Sequence, residues 1–301
     1  MAATDNANEV ATLDTDVMRR RPLHERLWEG ARKHPLGAFG AIMVFTMASM
    51  ALFADYIAPH PPEINAFENM LLPPGGEFLL GTDQFGRDML SRLIYGARTA
   101  LFVGVVAAFC GATTGLVLGA GSAYFGGRVD LIFQRVMDVF IAFPTIIIAL
   151  TVVSVFGSEL HHVIIAITIP FIPDAARIVR SNALAIREIP YVDAARALGF
   201  SHARIVLRHM LPNVMAPYLI ILTANIGQAI LLEASLSYLG LGVQEPTPAW
   251  GLMLQGGAEE YAESAPWVPV FPGIAIAIAV FGFNLFGDGV RDALDPRLRS
   301  Q

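Results

Sequence analysis

The residues best placed for metal chemistry are Glu159, His161 and His162, in the run Glu-Leu-His-His. The order is not His-Glu-x-x-His, and neighbouring histidines on a helix point about 100° apart, which suits a metal poorly. A polar end to an outer loop is the better reading. Nucleotide chemistry lacks its signature, because no Gly-x-x-x-x-Gly-Lys-Ser/Thr run occurs. If ATP is used, a partner must bind it. Proton transport needs carboxylates deep inside apolar spans. Here Asp55, Asp130, Asp138, Asp174, Glu233 and Asp288 all fall near the ends of apolar runs. Arg135 with Asp138, and Asp174 with Arg177, have the i,i+3 spacing of helical ion pairs. Asn225, Gln228 and Asn284 lie within apolar runs, where interhelical hydrogen bonds explain them better than a pore lining does. The single cysteine, Cys110, permits no intrachain disulfide and reads as a packing residue.

A polar segment of another kind lies at 188–213, EIPYVDAARALGFSHARIVLRHMLPN. Pro190 suits the first turn of a helix, where its missing N–H has no partner in any case. Asp193 falls near that positive end. Ala194, Ala195, Ala197 and Leu198 favour helix, and Gly199 can end it in a left-handed conformation. Ser201 then caps a second helix that runs through Pro212 into an apolar span. The spacing predicts a rigid helix of about two turns whose small alanine face can seat in a groove of a soluble partner, joined to a spanning helix by a glycine elbow.

The elements around this segment are set by hydropathy. Of the 301 residues 54% are hydrophobic and 15% charged, against about 25% charged in an ordinary soluble domain. The excess of apolar surface points to a bilayer as solvent. Uncharged runs long enough to span it, about 20 residues, cover 35–54, 99–127, 139–158, 209–232 and 264–287. A shorter run, 160–173, contains Pro170 and Pro173. It reads as a proline-broken fourth crossing if the helix continues past Asp174 with Arg177 and Arg180 snorkelling. Six crossings put seventeen of the twenty Lys and Arg on one side, leaving Arg87, Arg92 and Arg98 on the other. That asymmetry places both termini in the cytoplasm.

The expected organisation is a cytoplasmic tail and basic amphipathic segment at 1–34, with Trp28 at headgroup depth and no cleavable signal peptide. A first transmembrane helix follows at 35–58, then an extracytoplasmic loop at 59–98. A core of five transmembrane helices occupies 99–290, including the loops 188–213 and 234–266, and a cytoplasmic tail covers 291–301. Residues 81–98 start with a turn and continue with helical amphipathic spacing, and read as an interfacial helix or a lid over a pore, with Arg87, Asp88 and Arg92 on its solvated face or touching a binding protein or a substrate terminus. Loop 234–266, with Pro246, Pro248 and Trp250, is large enough to meet an external partner. Gly111, Gly115 and Gly119 leave a flat groove along one helix, so a neighbouring backbone can approach closely.

The segment 188–213 resembles the EAA loop of ABC importer permeases: Glu-Ala-Ala, three residues, Gly, nine residues, Ile, one residue, Leu-Pro. Asp193, Ala194, Ala195, Gly199, Leu211 and Pro212 match. Asp193 replaces the glutamate on a shorter arm, and His209 stands where isoleucine is usual. LLGTDQFGRDMLSRLIYGAR at 79–98, YFGGRVDLIFQRVMDVFIAFP at 124–144, PTPAWGLML at 246–254 and FNLFGDGVRDALDPRLR at 283–299 extend the likeness. From about 34 to 299 the chain is similar to the C-type subunits of dipeptide/oligopeptide permeases.

The resemblance implies an all-α, type I ABC importer permease bundle in the bacterial inner membrane. Residues 190–198 would be the coupling helix, with Tyr191, Asp193, Ala194, Ala195, Arg196, Gly199 and Pro212 as the ATPase-coupling residues. It implies a homologous second permease subunit, two ATP-binding subunits that hold ATP and Mg, an extracytoplasmic substrate-binding protein and surrounding membrane lipid. No nucleic acid, catalytic residue, metal or cofactor is implied for this chain. Relatives of this kind import dipeptides, longer peptides, glutathione, nickel complexes and some oligosaccharides. A secondary transporter or an integral membrane enzyme is the rival class.

Overall fold

A computed structural model describes residues 32–258 and 260–294. The expected tail, the basic segment around Trp28, and residues 295–301 lie outside the described residues.

The described chain is helical. The helices are α1 (Pro35–Leu52), α2 (Ala54–Ile57), α3 (Met89–Phe125), α4 (Gly127–Ile141), α5 (Thr145–Phe156), α6 (Leu160–Arg187), α7 (Pro190–Ala197), α8 (His202–Ile205), α9 (Met215–Tyr238), α10 (Trp250–Ala258) and α11 (Trp267–Leu294). A π turn over Val206–Met210 and a 3-10 turn over Leu211–Val214 join α8 to α9, so that His202–Tyr238 passes as one span. With α1, α3, α6 and α11 this makes five helices long and apolar enough to cross a bilayer. The pair α4–α5, bent by 86°, passes the same test only when its two helices are taken together, so the candidate spans number five or six.

Three expectations change. Residues 81–98 are neither an interfacial helix nor a lid: after the turn, residues 89–98 are the first turns of the 37-residue α3, with Met89, Leu93 and Ile94 buried. The third crossing is not a straight helix over 139–158, because α4 ends at Ile141 and α5 starts at Thr145. Pro144 pushes the preceding residue toward extended backbone and cannot donate to a helix bond. The fourth crossing is not broken by its prolines: α6 continues for 28 residues with Pro170 and Pro173 inside it and buried. Packing against α3 holds that helix together.

The α3–α6 contact follows from the glycine spacing. A Cβ added at Gly111, Gly115 or Gly119 would lie 2.8 Å from the Phe171 Cβ, 2.5 Å from the Ala175 Cβ and 2.4 Å from the Ala176 carbonyl oxygen. Only hydrogen at these positions lets the two backbones meet, and dispersion over that contact replaces the hydrophobic drive that lipid removes. Gly37 of α1 and Gly289 of α11 approach in the same way.

Successive crossings give the bundle two unlike ends. The start of α1 and the ends of α3, α6 and α11 form a basic end, with Lys33, Arg187 and Arg291. The opposite end is covered by residues 58–88 and by the α9–α11 connection, which carries α10.

Candidate coupling interface

The short helix α7 lies at the basic end. Pro190 occupies its first turn with Asp193 behind it, and Asp193 pairs with Arg196 at 3.0 Å. The helix ends as its sequence predicts. Gly199 has φ +75, its N–H donates to the Arg196 carbonyl at 2.9 Å, and the Phe200 N–H donates to the Ala195 carbonyl at 3.2 Å. This is the Schellman pair of bonds around a left-handed residue. No atom lies within 4 Å of a Cβ placed on Gly199, so the glycine answers to backbone conformation and not to space.

One face of α7 is sealed to the bundle. Val192 and Ala195 are buried in a cluster with Ala120, Ala123, Tyr124, Ile205 and Met210. The Arg196 guanidinium sits over the Tyr124 ring at 5.3 Å, and the Tyr124 hydroxyl meets His202 Nδ1 at 2.6 Å. At the end of α6 Arg187 donates to the Ala123 carbonyl at 2.8 Å. The outward face carries Tyr191, Asp193, Ala194, Ala197 and Leu198, the last 73% exposed. The expected alanine face is therefore divided, because Ala195 serves the chain's own core while Ala194 and Ala197 face out.

The connection beyond Ser201 also differs from expectation. Ser201 caps α8, with its Oγ accepting from the Arg204 N–H at 3.4 Å, but the helix widens before Pro212. Leu211 donates to Val206 in an i to i−5 bond. A regular helix would press the Pro212 ring against the Arg208 carbonyl, and the π turn relieves this. The Tyr191 hydroxyl donates to the His209 carbonyl at 2.9 Å, and Asn213 Nδ2 donates to the same carbonyl at 2.7 Å. Asn213 lies outside the motif positions and His209 departs from them, so neither stands out in the sequence. The available signal was their four-residue spacing across Pro212.

At the opposite end Arg87, Asp88 and Arg92 are buried and do not form a solvated face. Arg87 Nε donates to Asp83 at 2.7 Å, and its two terminal nitrogens reach both Glu245 oxygens at 2.7 and 3.1 Å. Burial pulls the Arg87 pKa down, but the Glu245 hydrogen bonds and the Asp83 charge outweigh it and hold the guanidinium above its ordinary value. Arg92 donates to Glu245 at 3.3 Å and to the Pro62 carbonyl at 3.0 Å. Asp88 caps α3 through the Ser91 N–H at 2.9 Å. These buried side chains hold the cap together. The loop beyond α9 is likewise tied down, with the Trp250 indole donating to the Leu93 carbonyl at 3.0 Å.

The remaining sequence candidates separate. Asp138 meets Arg135 at 3.6 Å as expected, but Arg177 turns to Asp138 at 2.7 Å and leaves Asp174, while Arg180 takes Asp130. Asn225 is buried, whereas Gln228 and Asn284 are exposed. Glu233 is buried near the end of α9 and accepts from Ser237 at 2.6 Å. The rings of His161 and His162 lie 3.9 Å apart, closer than helical spacing suggests, and a donor atom from each of Glu159, His161 and His162 falls within 4.8 Å of the others. Glu159 and His161 are 74% and 63% exposed, so water solvates that group.

A helical bundle with five or six candidate crossings and a short helix seated on its basic end defines a polytopic membrane subunit. The chain belongs to the family of binding-protein-dependent transport system inner membrane components, whose model matches residues 111–300; residues 25–74 match the N-terminal transmembrane domain of oligopeptide transport permease C. It is thus a non-catalytic permease subunit of an ABC importer in the inner membrane, in a system that uses ATP through partner subunits.

Similar proteins include a putative peptide transport system permease protein of Brucella abortus, 42% identical over 269 residues that cover 89% of this chain and 90% of that one. A dipeptide transport system permease protein of Alkalihalophilus pseudofirmus is 39% identical over 89% of this chain and 88% of its own. A glutathione transport system permease protein of Escherichia coli is 42% identical over 93% of this chain and 92% of its own. Among solved structures, the inward-facing MetNI methionine ABC transporter has a chain that matches with a TM-score of 0.55 at 21% identity, over 69% of this chain and 98% of that one. That likeness concerns the fold.

Proposed function

We propose that this chain is the C-type half of a permease that imports dipeptides or short oligopeptides. The observation that carries this reading is near full-length similarity, 39–42%, to permeases named for peptide and dipeptide transport. The basic end faces the cytoplasm, since anionic lipid and the insertion machinery retain Lys and Arg there. A homologous second permease completes the pore, two ATP-binding subunits hold ATP and Mg below it, and an extracytoplasmic binding protein delivers the solute to the capped end.

On this reading α7 is the coupling helix. Asp193, Ala194 and the exposed end of α7 meet an ATP-binding subunit. Ala195 fastens the helix to the bundle, Tyr191 and Arg196 hold its two ends, Gly199 turns the chain, and Pro212 places the widened turn that leads into α9. Closure of the ATP-binding subunits displaces α7, and its buried face carries that displacement into α3, α6 and α9. Such a device needs rigid parts on either side of one bistable interface.

The test is reconstitution with the partner subunits in proteoliposomes. Binding protein loaded with a labelled dipeptide should stimulate ATP hydrolysis and drive uptake. Uptake that proceeds without any ATP-binding subunit would overturn the reading in favour of a secondary transporter. A second substrate class, glutathione, is favoured by the 42% relative named for it, and unlabelled glutathione should then compete with the dipeptide.

A further inference from the structure

Gly199 poses a mechanical difficulty. Gly199 is held left-handed by backbone bonds alone, and no atom lies within 4 Å of an added Cβ to brace the elbow between α7 and the α9 span. The chain braces that elbow by a second route. Tyr191, in the first turn of α7, reaches 18 residues ahead to the His209 carbonyl at 2.9 Å. Asn213 reaches back one turn to the same carbonyl at 2.7 Å and also donates to the Tyr191 hydroxyl at 3.1 Å. A carbonyl oxygen accepts two hydrogen bonds at most in good geometry, so this acceptor is saturated by side chains from both sides of the elbow. The tyrosine and histidine rings also lie nearly parallel, 6.4 Å apart and 25° inclined.

The position of the clamp is not arbitrary. His209 belongs to the π turn that Pro212 imposes. There the helix ladder is irregular, and a carbonyl is open to side-chain donors. The irregular turn of the span is thus the one tied to α7.

We infer that Tyr191 and Asn213 form a clamp on the His209 carbonyl that makes α7 and the start of α9 a single moving body, so that both are positioning residues for coupling. The inference rests on the reading of α7 as the helix that the ATP-binding subunits displace.

Paired spin labels test it on the assembled complex. Ala197→Cys on α7 and Leu219→Cys on α9, with Cys110→Ser removing the native thiol, report the distance between the two helices without nucleotide and after vanadate trapping. With the clamp intact, the distribution should be narrow and keep its centre in both states. Tyr191→Phe, which removes only the hydroxyl, and Asn213→Asp, which removes the donor, should each broaden it about twofold, and the double variant should broaden it no further, since both act through one carbonyl. If the labelled complex fails to assemble, the same comparison on the solubilised chain decides, because the clamp lies wholly within it. Unchanged distributions in both variants would refute the clamp. Gly199→Asp separates this from the underlying reading. Loss of the ATP-binding subunits in that variant, with the clamp variants silent, leaves docking standing and removes the clamp. Normal ATP-driven uptake by Gly199→Asp would remove the docking itself.

Discussion

Arg87 and Glu245, 158 residues apart, meet in a two-pronged ion pair at 2.7 and 3.1 Å that stitches the segment before α3 to the loop beyond α9. Arg87 is buried and Glu245 is 39% exposed. Glu245 also receives Arg92, which is fully buried. One carboxylate therefore compensates two buried guanidinium groups with help from Asp83.

Glu245→Ala should destabilise the capped end by about 2–3 kcal/mol, below the roughly 3–5 kcal/mol of a fully buried pair because water reaches Glu245. Glu245→Gln keeps one acceptor and should lose less. Thermal unfolding of the detergent-solubilised chain would show this as a lower midpoint for alanine than for glutamine. Equal midpoints for wild type and alanine would mean that the pair contributes nothing.

Gly115 and Gly121 lie on the same helix in opposite circumstances. A Cβ on Gly115 would sit 2.5 Å from the Ala175 Cβ and 2.8 Å from the Ala176 backbone nitrogen, whereas nothing lies within 4 Å of one on Gly121. Gly115→Ala should force α3 and α6 apart at a cost of about 1–3 kcal/mol. Gly121→Ala should be neutral or slightly stabilising, since alanine is the better helix former by roughly 1 kcal/mol. Folded yield by gel filtration distinguishes them.

Gly199 is held by φ alone. Alanine there should cost about 1–2 kcal/mol for the left-handed conformation, with no clash added. Asparagine, which tolerates that region, should cost less. ATP-driven uptake is expected to fall in the order glycine, asparagine, alanine. A variant with alanine equal to wild type would show that the elbow is not held left-handed.

Trp250 fills the space beside Gly96, whose added Cβ would lie 2.5 Å from the indole. Trp250→Phe loses the hydrogen bond to the Leu93 carbonyl, worth about 1 kcal/mol. Gly96→Ala should be worse, because α3 and the indole cannot both keep their places. Tryptophan fluorescence should shift to longer wavelength as the indole gains water in Gly96→Ala.

The sequence by itself determined whatever depends on neighbours along the chain. Runs of apolar residues marked the crossings, because a bilayer demands about 20 such residues whatever packs against them. Pro190 and Gly199 bounded α7 to within a residue, because helix start and stop are local backbone chemistry. The glycines at 111, 115 and 119 announced a close contact, although not its partner.

Only the tertiary structure decided what depends on residues far apart. Arg87 and Arg92 looked solvated because their partner Glu245 is more than 150 positions away. Arg177 stood three residues from Asp174 and chose Asp138 on another helix. Ala195 turned inward because Tyr124 and Ile205 supplied an apolar surface that no local pattern encodes. Pro170 and Pro173 failed to break α6 because the glycine groove of α3 holds the helix on both sides of them. In each case the local preference amounts to about 1–3 kcal/mol, which a packed contact or a buried ion pair can exceed.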